Sequence, residues 1–452
     1  MATKPKIQTL TNSSVDILNV IRNNATNDYK NYIPKATADA EVIRQIGNVL
    51  MDYPQLQNEF LSALVNRIGR VIVSSKAYSN PWAIFKKGML EMGETIEEVF
   101  VNIAKPFQYS AETAEQTIFK REIPDVRSAF HVMNFQKYYK TTVQQEDLKR
   151  AFLSIEGVTD LISKIVETLY TGANYDEFMV MKYLLAKHIL NGRLLPTETQ
   201  ALSKTTAVDV ATDVKRVSND MTFLKDKYNI AGVKNRSEKN EQYLLVNTDF
   251  DAIIDMNVLA TAFNMEKAEF MGHKILVDGF GDIDNERLAI LFADDTTYTA
   301  LTEAELTALN TIPCVLVDKN YFMILDNKLE FTEQFNAEGL YWNYWYHTWK
   351  TFSVSPYANS TVFVPTAPTV TAVTVSPATM TVAKGQTASI SASVTTTGFA
   401  PKTVSYTSSN TGVTVSAGGL VTVSDTATGS ATITVASTFD NTKKATCSIT
   451  IS

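Results

Sequence analysis

The chain is 452 residues long and carries a formal net charge of −7, with 45% hydrophobic and 20% charged residues. This length predicts two or three globular domains, and the acidic charge argues against a broad nucleic-acid-binding surface. The only cysteines, Cys314 and Cys447, lie too far apart to indicate a zinc site or a disulfide framework, so we expect two free thiols.

The first residues lack the apolar segment of a secretory signal, and no run of about 18 apolar residues predicts a membrane span. We therefore expect folding in a cytoplasm and no association with a membrane. Up to residue 84 the sequence predicts short amphipathic helices, for example where Val42, Ile46 and Val49 recur at helical spacing. A β-branched strand is expected at residues 70–78.

Residues 85–130 are rich in charge, since fourteen of these 46 residues are charged. Val99, Val101 and Ile103 recur at every second position, which is the pattern of a strand with one half-buried face. No long apolar run supplies a core, so the segment must lie against another surface. From the pattern alone two interpretations remain open: a solvated surface insertion, or an arm that contacts a neighbouring subunit.

Residues 156–190 give the strongest helical signal in the chain. Val158, Leu161, Ile165 and Leu169 belong to one apolar stripe at helical spacing, with a weak break at Gly172. We expect one or two long helices here, and a rod of this length favours a structural spine over a catalytic element.

Residues 206–335 predict a mixed α+β region. Helices are expected at residues 206–223, 257–264 and 302–309, and Thr302 and Glu305 can form a capping box at the start of the last one. Short strands are expected between and after them, at residues 243–246, 274–277, 289–292, 314–317, 321–325 and 331–335.

Residues 339–364 hold three of the four tryptophans and several tyrosines. A row of rings on one face would indicate a carbohydrate-stacking platform. Here the rings occupy both alternating faces, so we favour an aromatic core strand that is covered on both sides.

The composition changes at residues 364–370, where Pro365 and Pro368 indicate a short, stiff linker. In residues 371–452, Thr, Ser, Ala and Val supply 55 of 82 residues and only six residues are charged. Short alternating strands separated by turns recur through this segment, which predicts a small β-sandwich.

The sequence contains no recognisable catalytic or cofactor motif, neither a GxxxxGK[ST] loop nor a GxGxxG after a strand. Asp294 and Asp295 are more typical of a turn than of a metal site, and the adjacent Glu97 and Glu98 point to opposite faces of a strand. The four histidines lie apart from one another and from the cysteines: His131, His188, His273 and His347. We therefore expect no enzymatic activity, no cofactor and no metal.

The stretch GETIEEVFVNIAKPFQYSAETAEQTIFKREIPDVRSAFH resembles the extended loop region of major capsid proteins from small podoviruses of the Bacillus phage phi-29 type. The resemblance continues, in matching order, through TTVQQEDLKRAF, VLATAFNMEKAEFMG, ILVDGF and GLYWNYWYHTWKTFSVS. The end of the chain, with VTAVTVSPATMTVAKGQT, GLVTV and ATITVAS, resembles a bacterial immunoglobulin-like domain of group 2.

The resemblance implies an α+β architecture, the Hong Kong 97-like phage capsid fold, followed by an all-β immunoglobulin-like sandwich. The capsid domain would occupy residues 1–363, the linker residues 364–370 and the immunoglobulin-like domain residues 371–452. The parts of the capsid domain would be an N-terminal arm and helices (1–84), the extended loop (85–130), a peripheral domain with the spine helix (131–205 and 336–363) and an axial domain (206–335).

The implied function is that of a major capsid (head) protein of a tailed bacteriophage. It would assemble in the host cytoplasm into hexamers and pentamers of an icosahedral or prolate shell that encloses double-stranded DNA. A separate scaffolding protein is expected, because residues 1–69 lack a built-in coiled-coil scaffold. A portal at one vertex and non-specific contact with the packaged DNA are also implied.

The resemblance also assigns a role to the charges of the extended loop, which we expect to pair across a subunit boundary. The candidate interface residues are Lys86, Lys87, Glu94, Glu97, Glu98, Arg121, Glu122 and Arg127. No lysine–asparagine pair aligns with the covalent cross-link of some relatives. The competing hypothesis is a surface or tail-associated glycan-binding protein that acts through the immunoglobulin-like domain.

Overall fold

The computed structural model describes residues 14–60, 63, 78–90, 95–110, 119–144, 155–257 and 273–452. The predicted strand at 70–78 and the predicted helix at 257–264 lie almost entirely outside these ranges. So do most of TTVQQEDLKRAF and all of VLATAFNMEKAEFMG. We refer to the described residues up to 364 as the main domain and to those from 369 onward as the C-terminal domain.

Helices of the main domain begin where side chains can accept hydrogen bonds from the first backbone N–H groups. Asp39 accepts from the N–H of Glu41, and the predicted capping box of Thr302 and Glu305 is present. Residues 54–60 are also helical. The named helices are α1 (Ser14–Asn24), α2 (Asn27–Tyr32), α3 (Ala40–Asp52), α4 (Ile155–Leu190), α5 (Ala207–Asp220), α6 (Thr248–Asn257), α7 (Asn285–Leu291) and α8 (Glu303–Asn310).

The strands of the main domain fall into two sheets and one separate pair. They are β1 (Lys86–Met89), β2 (Thr95–Val101), β3 (Val126–Val132), β4 (Phe135–Gln144), β5 (Leu195–Glu198), β6 (Gln242–Asn247), β7 (Lys274–Val277), β8 (Cys314–Asp318), β9 (Phe322–Asn336), β10 (Tyr341–Val354) and β11 (Ser360–Val364).

The predicted spine is one continuous helix, α4, of 36 residues. At 1.5 Å per residue it is about 54 Å long. Residues 176–182 of this helix are all buried, and Phe178, Met179, Val180 and Met181 among them lie in the largest core cluster. This helix therefore passes through the middle of the main domain.

The first sheet has the strand order β1-β9-β10-β4 and lies against α4. On the covered face of β10, Trp342 and Tyr344 pack against α1–α3, and Tyr346 packs against Leu169 and Ala173 of α4. The rings on its other face are half-buried. The aromatic residues thus form a core strand on one face, and the expectation that both faces are covered is wrong, because Trp345 and Trp349 are only partly buried.

The second sheet has the strand order β5-β11-β8-β6-β7 and is mixed, since β5 pairs in parallel with β11 and β7 in parallel with β6. Every residue of β6, β8 and β11 is buried. One face packs on the largest core cluster and the other packs on α5 through Val210, Val214 and Val217. Continuous apolar strands are what a sheet covered on both faces requires.

Two strand predictions are wrong. Residues 339–364 form two strands, because Pro356 follows the end of β10 and cannot donate a ladder hydrogen bond. β11 then joins the second sheet beside β8, whereas β10 belongs to the first sheet. Residues 289–292 lie in or next to α7, because the Asp284 side chain accepts from the N–H of Arg287 and starts a helix.

The C-terminal domain is an all-β sandwich, as predicted. Its core contains Val421, Ile433, Val435 and Ile449 together with the buried Cys447. Both cysteines are free thiols. The strands are β12 (Thr369–Ser376), β13 (Thr379–Val382), β14 (Thr387–Ser389), β15 (Ser391–Thr397), β16 (Val404–Ser408), β17 (Val413–Val415), β18 (Leu420–Val423), β19 (Ser430–Ser437) and β20 (Lys444–Ile451).

Truncating α4 in the core should destabilise the main domain strongly. Leu185 is 1% exposed, so Leu185→Ala should lower the free energy of unfolding by about 2–5 kcal/mol through lost burial and a cavity. All four tryptophans lie in the main domain, so tryptophan fluorescence in a denaturant titration reports that domain alone. Ile290→Ala on α7, where the side chain is 77% exposed, is the matched control and should change little.

Candidate subunit interface

The extended loop begins at β1, and its first residue with a buried partner is Lys86. The ammonium of Lys86 lies 3.1 Å from Oε2 of Glu177 on α4 and 2.7 Å from Oδ2 of Asp326 on β9. Lys350 on β10 also pairs with Glu177, and its Nζ lies 3.3 Å from Oδ1 of Asp326. Asn80 donates to Oε1 of Glu177 at 2.7 Å. We call Lys86, Glu177, Asp326 and Lys350 the root cluster.

The root cluster contains two positive and two negative side chains, so its formal charge balances inside the protein. Burial by itself would raise the pKa of Glu177, but the ammonium groups of Lys350 and Lys86 outweigh it and hold that pKa below its ordinary value. Burial would lower the pKa of Lys86, and Glu177 and Asp326 reverse this, so that pKa is raised. Glu177 and Lys86 therefore both stay ionised near neutral pH.

Two further charged residues of α4 connect the spine to other parts of the main domain. Asp176, 1% exposed, accepts from the Tyr139 hydroxyl of β4 at 2.7 Å and pairs with Arg287 of α7. Lys182 donates to Oδ1 of Asp278 at 2.7 Å and to the carbonyl of Asp282 at 2.6 Å. Each of these contacts joins α4 to a segment far away in the sequence.

Beyond the root, β2 and β3 form a two-stranded antiparallel ribbon, which we call the arm (Thr95–Val132). Its inner face lies against the rest of the main domain. Glu98 accepts from the Ser355 hydroxyl at 2.7 Å and lies 3.1 Å from Nε2 of His131, and Phe100 stacks on Tyr357 with ring centroids 5.2 Å apart. These contacts fix which face of the ribbon points outward.

Among the described residues, the outer face of the arm is uncovered, and it is apolar except for Thr95, Glu97 and Ser128. Val99 and Phe130 are 54% and 63% exposed, and Val101, Val126 and Val132 are exposed with them. The β2–β3 register places these side chains on the same face, where Val101 lies opposite Val126. An unpaired apolar sheet face of this kind is typical of a surface that another molecule covers.

The connection between β2 and β3 continues this exposure. Of the 26 large hydrophobic side chains exposed in the described chain, ten lie between Thr95 and Val132. Phe119, Tyr109 and Ile123 are each about nine-tenths exposed. Exposed apolar side chains are therefore more concentrated in the arm than in any other described segment of the chain.

The structure separates the predicted interface residues into two groups. Lys86 is in the root cluster, Glu98 faces inward, and Lys87 donates to the Lys319 carbonyl at 3.2 Å and to the Asn320 side chain at 2.7 Å. The other described residues are exposed: Glu97 on the outer face, Arg121 and Glu122 in the connection between the strands, and Arg127 opposite Phe100 on the inner face. Glu94 lies outside the described residues.

Two of these exposed charged residues, Arg127 and Glu122, have partners within the arm or close to it. Arg127 pairs with Asp125 at 3.2 Å and donates to the Ala231 carbonyl at 2.5 Å, and Glu122 lies 3.4 Å from Lys120. The hydrogen bonds from Arg127 and Asn102 hold the pKa of Asp125 below its usual value.

The sequence-based interpretation missed the exposed apolar outer face, although the alternation of Val99 and Val101 was a signal of it.

The described residues contain no group of three or more His, Cys, Asp or Glu side chains that could hold a metal ion. In the same part of the chain, we find no helix whose length and apolarity would suit a membrane span.

A family model described as Phi29-like phage major capsid protein matches residues 18–364. The chain belongs to this family. A second model, described as Bacterial Ig-like domain (group 2), matches residues 369–449. The C-terminal domain is therefore an immunoglobulin-like domain attached to a capsid domain, as the sequence predicts.

Individual relatives agree with this assignment. The major capsid protein of Bacillus phage B103 is 35% identical over 428 residues, covering 93% of this chain and 89% of the relative. That of Bacillus phage PZA is 34% identical over 418 residues, covering 91% and 87%. In the capsid structure of Staphylococcus phage Andhra, one chain matches with a TM-score of 0.51 at 16% identity, covering 64% of this chain and 85% of that one.

These findings confirm the Hong Kong 97-like capsid fold with a C-terminal immunoglobulin-like domain. The capsid protein is a structural component of a tailed-phage virion and works in a multimeric shell. The competing hypothesis of a glycan-binding surface protein is not favoured.

Removing one charge from the root cluster should destabilise the capsid domain. Glu177→Gln leaves Lys86 and Lys350 with a single carboxylate, so we expect a loss of about 3–5 kcal/mol at pH 7 by tryptophan fluorescence. Glu122→Gln breaks only an exposed pair and is the control, for which no measurable change is expected. An equal free energy of unfolding for Glu177→Gln and the native chain would show that these charges contribute nothing net to stability.

The same variant should change the response to acid. Because the folded-state pKa of Glu177 lies below the unfolded value of about 4.3, its stabilisation is complete above that value and is lost as the pH falls through the folded pKa. Glu177→Gln lacks this contribution, so its free energy of unfolding should fall less steeply below about pH 4.3 than that of the native chain. Denaturant titrations at a series of pH values measure both slopes, and identical slopes would contradict the assignment.

Proposed function

We propose that the arm is the segment through which one capsid subunit binds the next. The observation that carries this proposal is the apolar outer face of β2 and β3, exposed in the single chain of a protein that works in multimeric shells. A second copy of the chain is the occupant that repeats at every position of a shell. Repetition of a modest contact around closed symmetry gives a large total stability.

The contact would use apolar burial first and charge second. Covering the outer-face valines and Phe130 removes apolar surface from water at each interface. Glu97 lies on this face, opposite Phe130, and with the exposed Arg121 and Glu122 it would set the orientation and reject wrong partners. Arg127 lies opposite Phe100 on the inner face and would act through its bond to the Ala231 carbonyl. Lys86, Lys87 and Glu98 would act indirectly, because their contacts within the subunit hold the arm in place.

The assembly would consist of hexamers and pentamers, closed in an icosahedral or prolate shell around double-stranded DNA. A separate scaffolding protein would guide it in the host cytoplasm, and a portal would occupy one vertex. The net charge of −7 supports this role, because a strongly basic lining would bind the DNA that has to move into and out of the shell. The role is structural rather than catalytic.

A charge placed on the outer face should block assembly without unfolding the subunit. Val99→Asp and Phe130→Asp each put a carboxylate in the proposed contact, where burial without a partner is costly. We expect soluble subunits with native tryptophan fluorescence and at least a tenfold loss of shells, counted by negative-stain electron microscopy after co-expression with the scaffolding protein.

The matched control is Leu420→Asp in the immunoglobulin-like domain, where the side chain is 45% exposed. It adds the same charge far from the arm and should leave shell formation unchanged. Normal shells from both arm variants would overturn the proposal, whereas equal losses in all three would point to a general effect of added charge.

A further inference from the structure

The two domains meet in a cleft at the C-terminal end of α4, with a volume of about 440 Å³. One side is formed by the ends of α4 and α8, including Leu190 and Ala308. The other side is formed by the 397–402 loop, which joins β15 to β16 of the immunoglobulin-like domain. Three separate contacts join this loop to the capsid domain at or beside the cleft.

The first contact is a close approach of two backbones. Gly192, directly after α4, is buried and has a φ of +63°. A Cβ at this position would lie 2.6 Å from the carbonyl oxygen of Ala400 and 2.7 Å from Cα of Pro401. No side chain fits between the two domains here, so the helix end and the loop are in direct contact.

The second contact is the ring of Phe399, which packs against the core cluster of the capsid domain. Phe399 has a φ of +57°, a conformation that is unfavourable for a bulky residue, and it follows Gly398 with a φ of +59°. A Cβ on Gly398 would collide with the carbonyl oxygen of Thr366, in the linker, at 2.4 Å. Strain of this kind persists where surrounding contacts compensate for it. The packing of the Phe399 ring against the core cluster is such a contact.

The third contact supplies a hydrogen-bond donor to the C-terminal end of the spine helix, α4. Lys402 donates from Nζ to the carbonyl of Leu190, the last residue of α4, at 3.0 Å. The last carbonyls of a helix have no donor within the helix, and a positive charge there also interacts favourably with the helix dipole. The immunoglobulin-like domain thus supplies a cap to the longest helix of the capsid domain.

We propose that the 397–402 loop clamps the immunoglobulin-like domain onto the C-terminal end of α4, so that this domain is a fixed, stabilising part of the capsid subunit. Only residues 365–368 separate β11 from β12. Because this connection is so short, the effective concentration of the loop at its docking site is high, and three modest contacts suffice to keep it docked. The partner of the loop is the capsid domain of the same chain.

The decisive variant is Gly192→Ala, with Gly232→Ala as its matched control. Both glycines have a positive φ, +63° and +60°, but a Cβ at Gly232 would meet no atom within 4 Å. Backbone strain is therefore similar in the two variants, and only Gly192→Ala forces the domains apart. Hydrogen–deuterium exchange of the full chain, unassembled and monitored by mass spectrometry, measures docking directly.

In Gly192→Ala we expect amide exchange in residues 187–193 and 397–402 to accelerate by about tenfold or more, while Gly232→Ala leaves both segments unchanged. Slow exchange should persist in β19 and β20 of the sandwich core, which separates undocking from unfolding. Equal exchange in the native chain and in Gly192→Ala would overturn the proposal.

If Gly192→Ala unfolds, Phe399→Ala and Lys402→Met test the docking of the loop instead, because neither substitution adds a clash. We expect each to accelerate exchange in residues 187–193 at least about threefold, and native rates in both would equally overturn the proposal. The readout uses unassembled chains, so it does not depend on whether the arm forms the subunit contact.

Discussion

The fold of the capsid domain depends on charged residues that are buried within its longest helix, α4. Within seven residues of α4, Asp176, Glu177 and Lys182 are each 1–2% exposed. A charge can be buried at this depth only with a partner of opposite sign, so each one requires a specific segment to come to it. Asp176 engages β4 and α7, Glu177 engages β1 and β10, and Lys182 engages the residues that follow β7.

This arrangement explains how a long arm can leave a compact domain in a defined direction. The root cluster holds the start of the extended loop against the spine and the first sheet. Glu98 and Phe100 then hold the inner face of the ribbon against Ser355 and Tyr357. Because both anchors act on one side, the apolar residues of the other side are directed outward, where a neighbouring subunit can cover them. The polar contacts therefore orient the arm, and the apolar contacts are available for assembly.

The immunoglobulin-like domain contacts the same helix, α4, at its C-terminal end. The spine is thus held through buried charges near its middle and through the 397–402 loop at its C-terminus. A shell protein benefits from such stiffness, because small errors in the angle between subunits accumulate around a closed lattice. The two sets of contacts differ physically. The first relies on charge pairs shielded from water, and the second on close backbone packing, a partly buried ring and a helix cap.

The sequence by itself determined the features that depend on local patterns. Apolar periodicity predicted α4 and the two-residue alternation predicted the arm, Thr302 and Glu305 predicted the start of α8, and composition predicted the sandwich. Local patterns failed at residues 289–292, where the helix-capping Asp284 outweighs an apolar run, and at Pro356, which divides a predicted strand. Only the tertiary structure decided that Lys86 and Glu98 face inward and that the apolar side of the arm faces out. Those outcomes depend on Glu177, 91 residues from Lys86, and on Ser355, 257 residues from Glu98, whose approach no local spacing encodes.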